Sequence, residues 1–182
     1  YVFSDEVYRS FDQPAPSIVD LYAKGIAVNS LSKTYSIPGI RVGWVASNTE
    51  VADILRDYRD YTMICAGVFD DMVATLVLEN KEAILERNRQ IVEENLALMD
   101  AWIAKEPKAS WIRPASVSTS FVKLDVNRPI EDFALELLQD YGVLVVPGNR
   151  FDKESHVRIG YCCDKEVLQK GLEKLSQFLN KC

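Results

Sequence analysis

Residues 25–44 read Gly-Ile-Ala-Val-Asn-Ser-Leu-Ser-Lys-Thr-Tyr-Ser-Ile-Pro-Gly-Ile-Arg-Val-Gly-Trp, and this stretch constrains the chain more than any other. It opens on a short apolar run, Ile26 to Val28, of the kind a buried strand shows. Small hydroxylic residues follow, then a lysine, Lys33, and after a Pro-Gly break an arginine, Arg41. A lysine that closes a buried strand is held on a rigid edge near a low-dielectric interior. Desolvation there disfavours the ammonium form. A neutral amine is what covalent chemistry with an aldehyde requires. Ser30, Ser32 and Arg41 supply the hydroxyl and guanidinium donors that suit a phosphate.

An amine for an aldehyde beside a clamp for a phosphate is the demand made by pyridoxal phosphate (PLP). Its remaining needs appear upstream in Tyr-Val-Phe-Ser-Asp-Glu-Val-Tyr-Arg-Ser, residues 1–10. Tyr1 to Phe3 are strand-like, with Asp5 and Tyr8 at the end of that strand. A carboxylate against the pyridine nitrogen keeps the ring protonated and electron-accepting, which is a role for Asp5. A tyrosine hydroxyl three residues on, Tyr8, can donate to the cofactor's phenolic oxygen. Each residue also has a plainer role: Asp5 as a turn residue, Tyr8 as a packed aromatic, Lys33 as a surface lysine, Arg41 as half of an ion pair. Asp-x-x-Tyr alone carries little weight. Asp-x-x-Tyr, Ser-x-Ser-Lys and Pro-Gly-x-Arg-x-Gly-Trp in this order, by residue 44, carry much more.

These motifs resemble the cofactor core of the class I/II aminotransferases, the aspartate-aminotransferase-like family of fold type I PLP enzymes. The likeness runs over nearly the whole chain but only to the C-terminal half of that family. It implies an α/β fold: the C-terminal part of a large, mostly parallel PLP-binding domain at residues 1–68, then bridging helices and a small α+β domain at 69–182. It implies that Asp5 pairs with the pyridine nitrogen, that Tyr8 bonds the phenolic oxygen, and that Lys33 is the catalytic lysine joined to the cofactor. Ser30, Ser32 and Arg41 would hold the phosphate. It also implies amino-acid and 2-oxo-acid substrates and a homodimer when the protein is full length.

The small domain holds a second candidate. His156-Val-Arg-Ile-Gly160 alternates polar and apolar residues, so Arg158 shares a face with the chain's one histidine. Pattern alone makes Arg158 an exposed arginine on a half-solvated strand. The resemblance makes it the arginine that grips the substrate carboxylate with two hydrogen bonds, and it leaves His156 structural. Residues 143–151, Val-Leu-Val-Val-Pro-Gly-Asn-Arg-Phe, match the family's approach to that element. Residues 113–121, Arg-Pro-Ala-Ser-Val-Ser-Thr-Ser-Phe, do not: hydroxylic residues stand where the family has glycines near the substrate. Cys65-Ala-Gly-Val68 also departs from the usual serine- and proline-rich version.

Of the 182 residues 48% are hydrophobic and 26% charged, ordinary for a globular chain. The net charge of −6 and the lack of a dense Lys/Arg run argue against nucleic acid or an anionic membrane as partner. No apolar run approaches the ~18 residues of a membrane span. Cys65, Cys162, Cys163 and Cys182 lack metal-ligand spacing, so no metal is expected, and they read as reduced thiols of a cytoplasmic protein.

Along the chain, Gln13 to Ser17 is a proline loop and Ser17 to Tyr22 a helical turn. Ile26–Asn29 and Ile40–Ala46 are strands. Helices are expected at 51–61 behind an Asn48-Thr49 cap, at 70–79 and at 81–105. Residues 120–126, 143–146 and 156–161 are strands. Residues 130–141, closed by Gly142, and 165–181 are helices. The chain opens inside an apparent core strand, which suggests a piece of a longer protein. As such it would carry an unpaired sheet edge and an uncovered apolar face, and would not be a competent enzyme alone.

Three rivals stay open. A PLP-dependent C–S lyase or synthase would use the same residues. Ser30-Leu-Ser-Lys33 also fits the Ser-x-x-Lys motif of penicillin-recognising serine hydrolases, although the companion Ser-Asp-Asn and Lys-Thr-Gly motifs are missing. A fragment that has kept the fold without the activity is the third.

Overall fold

The computed structural model mixes strands and helices along the chain, as the switching periodicity requires. The structure describes residues 1–11 and 14–182. Gln13 of the expected proline loop lies outside the described residues, and residues 14–17 are irregular as expected. The chain divides into two compact units, Tyr1–Gln90 and Ile91–Cys182.

The first unit holds a sheet of order β1-β2-β3, made of β1 (Val2–Asp5), β2 (Gly25–Ser30) and β3 (Gly43–Ala46). β1 pairs with β2 in parallel, with Asp5 opposite Val28. β3 pairs with β2 antiparallel, with Ser30 opposite Gly43. The part of the large-domain sheet that the described residues form is small and mixed, one parallel and one antiparallel pair. The reason lies in what the connection holds. A parallel return usually runs through a crossover helix. The link from β2 to β3, residues 31–42, holds only a turn and the 3-10 helix Pro38–Ile40, and the Leu31 amide donates to Val42 O across it, so the chain doubles back.

The short helix α1 (Ile18–Leu21) links β1 to β2. α2 (Thr49–Arg59) starts at Asn48, whose side chain accepts a hydrogen bond from the Val51 amide, the cap that the sequence indicated. α3 (Val68–Glu79) and the opening turns of α4 (Lys81–Ile103) complete the unit. Leu31, fully buried, packs on Ala74 and Val77 of α3, with Tyr35, Ile37, Ile40, Val42 and Ile84 around them. These contacts place α3 and the start of α4 in the core beneath the Lys33 turn, and α4 runs on from the first unit into the second. Val2 and Phe3 of β1, Trp44 and Val45 of β3, and Tyr61 and Phe69 are exposed.

The second unit is built on an antiparallel sheet of order β4-β5-β7-β6: β4 (Ala109–Trp111), β5 (Thr119–Leu124), β6 (Val146–Pro147) and β7 (His156–Gly160). Val122, Leu124, Val157 and Ile159 bury one face of this sheet. The core also takes in Phe133 and Leu137 of α5 (Ile130–Tyr141) and Leu172, Leu175 and Phe178 of α6 (Lys165–Leu179). α5 stops at Gly142, whose φ of 66° is the left-handed cap glycine adopts without cost. β4 is too short to show periodicity. The expected strand 143–146 shrinks to Val146–Pro147. Among the described residues no helix is long and apolar enough to cross a membrane.

Candidate active site

Leu31 sets the geometry around Lys33. Its burial, with its amide donating to Val42 O at 3.1 Å and its carbonyl accepting from the Ile37 amide at 3.0 Å, locks the turn after β2. Ser30 and Ser32 flank this anchor and turn the other way. Both line a concavity of about 750 Å³ together with Arg41, Val7, Trp44 and Arg59. Ser30 Oγ accepts from the Ser32 amide at 3.2 Å, which orients the first hydroxyl. Gly43 is required opposite Ser30, because a Cβ there would lie 2.7 Å from Asn29 O.

Arg41 caps the 3-10 helix in the left-handed region, φ 53°, and donates from Nη1 to Pro38 O at 2.7 Å. Such a conformation is uncommon for a residue with a side chain and is retained where the surroundings enforce it. Arg41 lines the concavity that Ser30 and Ser32 also line. Two hydroxyls and one permanent cation suit a phosphate-sized anion.

Lys33 lies in the turn beyond β2, with Nζ 5.5 Å from the centroid of the Tyr8 ring. Thr34 brings the two together. Its Oγ1 donates to Val7 O and accepts from the Arg9 amide, both at 3.4 Å, tying the turn to the segment after β1. Asn88 of α4, 4% exposed, donates to Thr34 O at 3.0 Å. Neither Thr34 nor Asn88 figured among the sequence-derived site residues. The available signal was the position of Asn88, a polar residue on the apolar stripe of Ile84, Leu85 and Val92. Lys33 is exposed, so the desolvation expected of a strand-ending lysine is not supplied by the described residues.

Asp5 ends β1 with its carboxylate accepting from the Val7 amide at 3.1 Å. It is exposed at the same end of the sheet from which the Lys33 turn departs. Asp5, Tyr8, Ser30, Ser32, Lys33 and Arg41 thus all lie in the first unit. The serine-hydrolase alternative needs Ser30 and Lys33 in contact. Ser30 instead engages the Ser32 amide, and Lys33 faces Tyr8.

In the second unit Arg158 sits mid-β7, opposite Phe121 of β5 and Val146 of β6. Strand alternation holds: Val157 and Ile159 are buried, and Arg158 is exposed with its guanidinium over the Phe151 ring, 5.4 Å from the centroid. His156 stacks on Phe121 at 4.8 Å, and its Nδ1 is buried without a hydrogen-bond partner. Burial, then the nearby Lys123 and Lys153 ammoniums, hold the imidazole pKa below its ordinary value. In the segment that departs from the family pattern, Ser116 and Ser120 are buried, and Tyr161 donates its hydroxyl to Val117 O.

The family model for aminotransferase class I and II matches residues 1–175. The chain belongs to this family. Among curated aminotransferases it is 29% identical over 193 residues to a probable N-acetyl-LL-diaminopimelate aminotransferase of Bacillus subtilis, covering 100% of this chain and 47% of that protein. It is 27% identical to an aspartate aminotransferase of Thermotoga maritima, covering 99% and 48%. A solved PLP-dependent aminotransferase from Streptococcus suis superimposes with a TM-score of 0.97 at 67% identity, over 100% of this chain and 49% of that one. The chain therefore spans about half the length of the aminotransferases it matches. The family and its solved structures imply pyridoxal phosphate as cofactor. The donors present fit it: an amine beside a phenol, a carboxylate on the adjoining strand, and two hydroxyls with a guanidinium around one concavity.

Proposed function

We propose that this chain carries the catalytic lysine and most of the cofactor contacts of an enzyme that moves an amino group between an amino acid and a 2-oxo acid. The observation that carries the proposal is the approach of Lys33 to Tyr8 next to a concavity lined by Ser30, Ser32 and Arg41. Bound PLP supplies an aldehyde and an electron-accepting ring. Ser30, Ser32 and Arg41 hold its phosphate, and Tyr8 donates to its phenolic oxygen. Asp5 keeps the proton on the pyridine nitrogen, as a carboxylate stabilises an adjacent cation. Lys33 Nζ would be the amine offered to that aldehyde and, as a free amine, the base that holds and moves the proton at substrate Cα. Arg158 binds the substrate α-carboxylate with its two-pronged guanidinium. The working protein is a homodimer in the cytoplasm, as the family resemblance implies.

A second reading is a PLP-dependent synthase or lyase. It is favoured by a 29% identical capreomycidine synthase from Streptomyces vinaceus, matched over 85% of this chain. A 26% identical PLP-dependent cyclase, with a TM-score of 0.87, points the same way.

The test uses the complete gene product, loaded with PLP and offered a panel of amino acids without and with 2-oxo acids. Conversion to the 2-oxo acid with amino transfer to the acceptor is expected. Elimination or cyclisation without amino transfer favours the second reading. No reaction, with PLP bound, refutes both.

A further inference from the structure

The Arg158 guanidinium does not stand free on the sheet. It lies over the ring of Phe151, which meets Phe121 edge-on at 5.8 Å with an interplanar angle of 80°. Phe121 is the β5 residue directly opposite Arg158. The two aromatics therefore form a corner, one ring in register with the arginine and the other beneath its charge.

Phe151 is held by its own turn. It ends the 3-10 helix Gly148–Phe151. Glu131, in the first turn of α5, accepts from Asn149 Nδ2 at 2.7 Å and pairs with the Arg150 guanidinium. Gly148 lies so close to the carbonyls of Lys153 and His156 that no Cβ fits there. The helix is thus tied to α5 on one side and pressed against the start of β7 on the other. Asp152, just past Phe151, turns the chain in the left-handed region at φ 56°.

An arginine on an exposed strand has four rotatable side-chain bonds, and fixing them opposes binding. A ring face that already holds the guanidinium lowers this cost and leaves the fork edge open to two carboxylate oxygens, because stacking and in-plane hydrogen bonding use different faces of the group. We propose that Phe151 is a positioning residue for Arg158, setting the guanidinium for a substrate carboxylate. The inference rests on the reading of Arg158 as the carboxylate-binding residue.

The experiment uses the PLP-loaded complete gene product. It measures the amino-donor half-reaction with an amino acid and with the amine that shares its side chain but lacks the carboxylate. Phe151→Leu keeps apolar bulk and removes the ring face. It is expected to raise KM for the amino acid about fivefold, with kcat, the PLP absorbance and reaction with the amine unchanged. Phe151→Tyr restores KM. Glu131→Ala, which releases the turn without touching the ring, raises the same KM by a smaller factor and covers the case in which Phe151→Leu fails to fold. Arg158→Lys raises KM for the amino acid only.

If Arg158→Lys raises KM while Phe151→Leu and Glu131→Ala do not, the proposal falls and the reading of Arg158 stands. If Arg158→Lys changes nothing, that reading falls and the proposal with it. An equal penalty on the amine shows that Phe151 touches the substrate side chain, which also overturns a positioning role.

Discussion

Lys33 and Tyr8, from the turns after two different strands, meet with the lysine ammonium 5.5 Å from the centre of the phenol ring. The parallel pairing of β1 and β2 makes this possible, because both strands end at the same edge of the sheet. Thr34 then draws the two turns together. The relation bears directly on which lysine serves the cofactor.

Borohydride reduction of the PLP-loaded complete gene product, followed by peptide mapping, is expected to place the pyridoxyl label on Lys33. Lys33→Ala should abolish turnover while leaving the fold intact, because the side chain is exposed and buries no apolar surface. Label on another lysine would remove Lys33 from the role.

Asp5→Asn should leave PLP bound and slow the chemical step by on the order of a hundredfold or more, as loss of one preorganised charge partner does. The amide cannot hold a proton on the pyridine nitrogen as the carboxylate can. Single-turnover absorbance kinetics give the measurement, and an unchanged rate would exclude Asp5 from the chemistry.

Asn95 of α4 is 2% exposed, and its side-chain amide donates to Tyr161 O at 2.7 Å and to Cys163 O at 2.8 Å. Asn95→Ala strands two carbonyls at the end of β7. It should cost about 1–3 kcal/mol, read as a lower midpoint in urea unfolding followed by circular dichroism. A midpoint equal to that of the parent would mean that water replaces the amide.

His156 titrates below its ordinary value, so folding favours the neutral imidazole. Its contribution to stability is present above about pH 6.5. As the pH drops below that value the unfolded chain takes the proton first, and the contribution is lost as the pH falls through the folded value. His156→Phe keeps an aromatic against Phe121 and removes the titration. The parent protein should therefore lose more melting temperature than His156→Phe between pH 8 and pH 5. Parallel losses would show that the imidazole is not linked to folding.

Sequence alone determined what is local. The helix 130–141 was legible to the residue, because acidic residues in its first turn and a glycine after its last are signals within the segment itself. The Asn48 cap and the alternation of β7 were legible for the same reason. So was the candidate chemistry, since Asp-x-x-Tyr, Ser-x-Ser-Lys and Pro-Gly-x-Arg carry their functional groups in fixed order. Tertiary structure decided what depends on partners distant in the chain. The antiparallel direction of β3 follows from the fold-back of residues 31–42 onto β2, closed by the Leu31 amide on Val42 O, and β4 exists only through its ladder with β5. Val143 to Val145 have strand composition but gain no partner strand in the described sheet. α3 belongs to the first unit because Ala74 and Val77 pack on Leu31. Thr34 and Asn88 acquire their roles only when the turn folds back on β1 and α4, and Phe151 reaches Arg158 only when the 3-10 helix is tied to Glu131. Side-chain pattern reports which face a residue buries, whereas the identity of the opposite surface is set by long-range pairing.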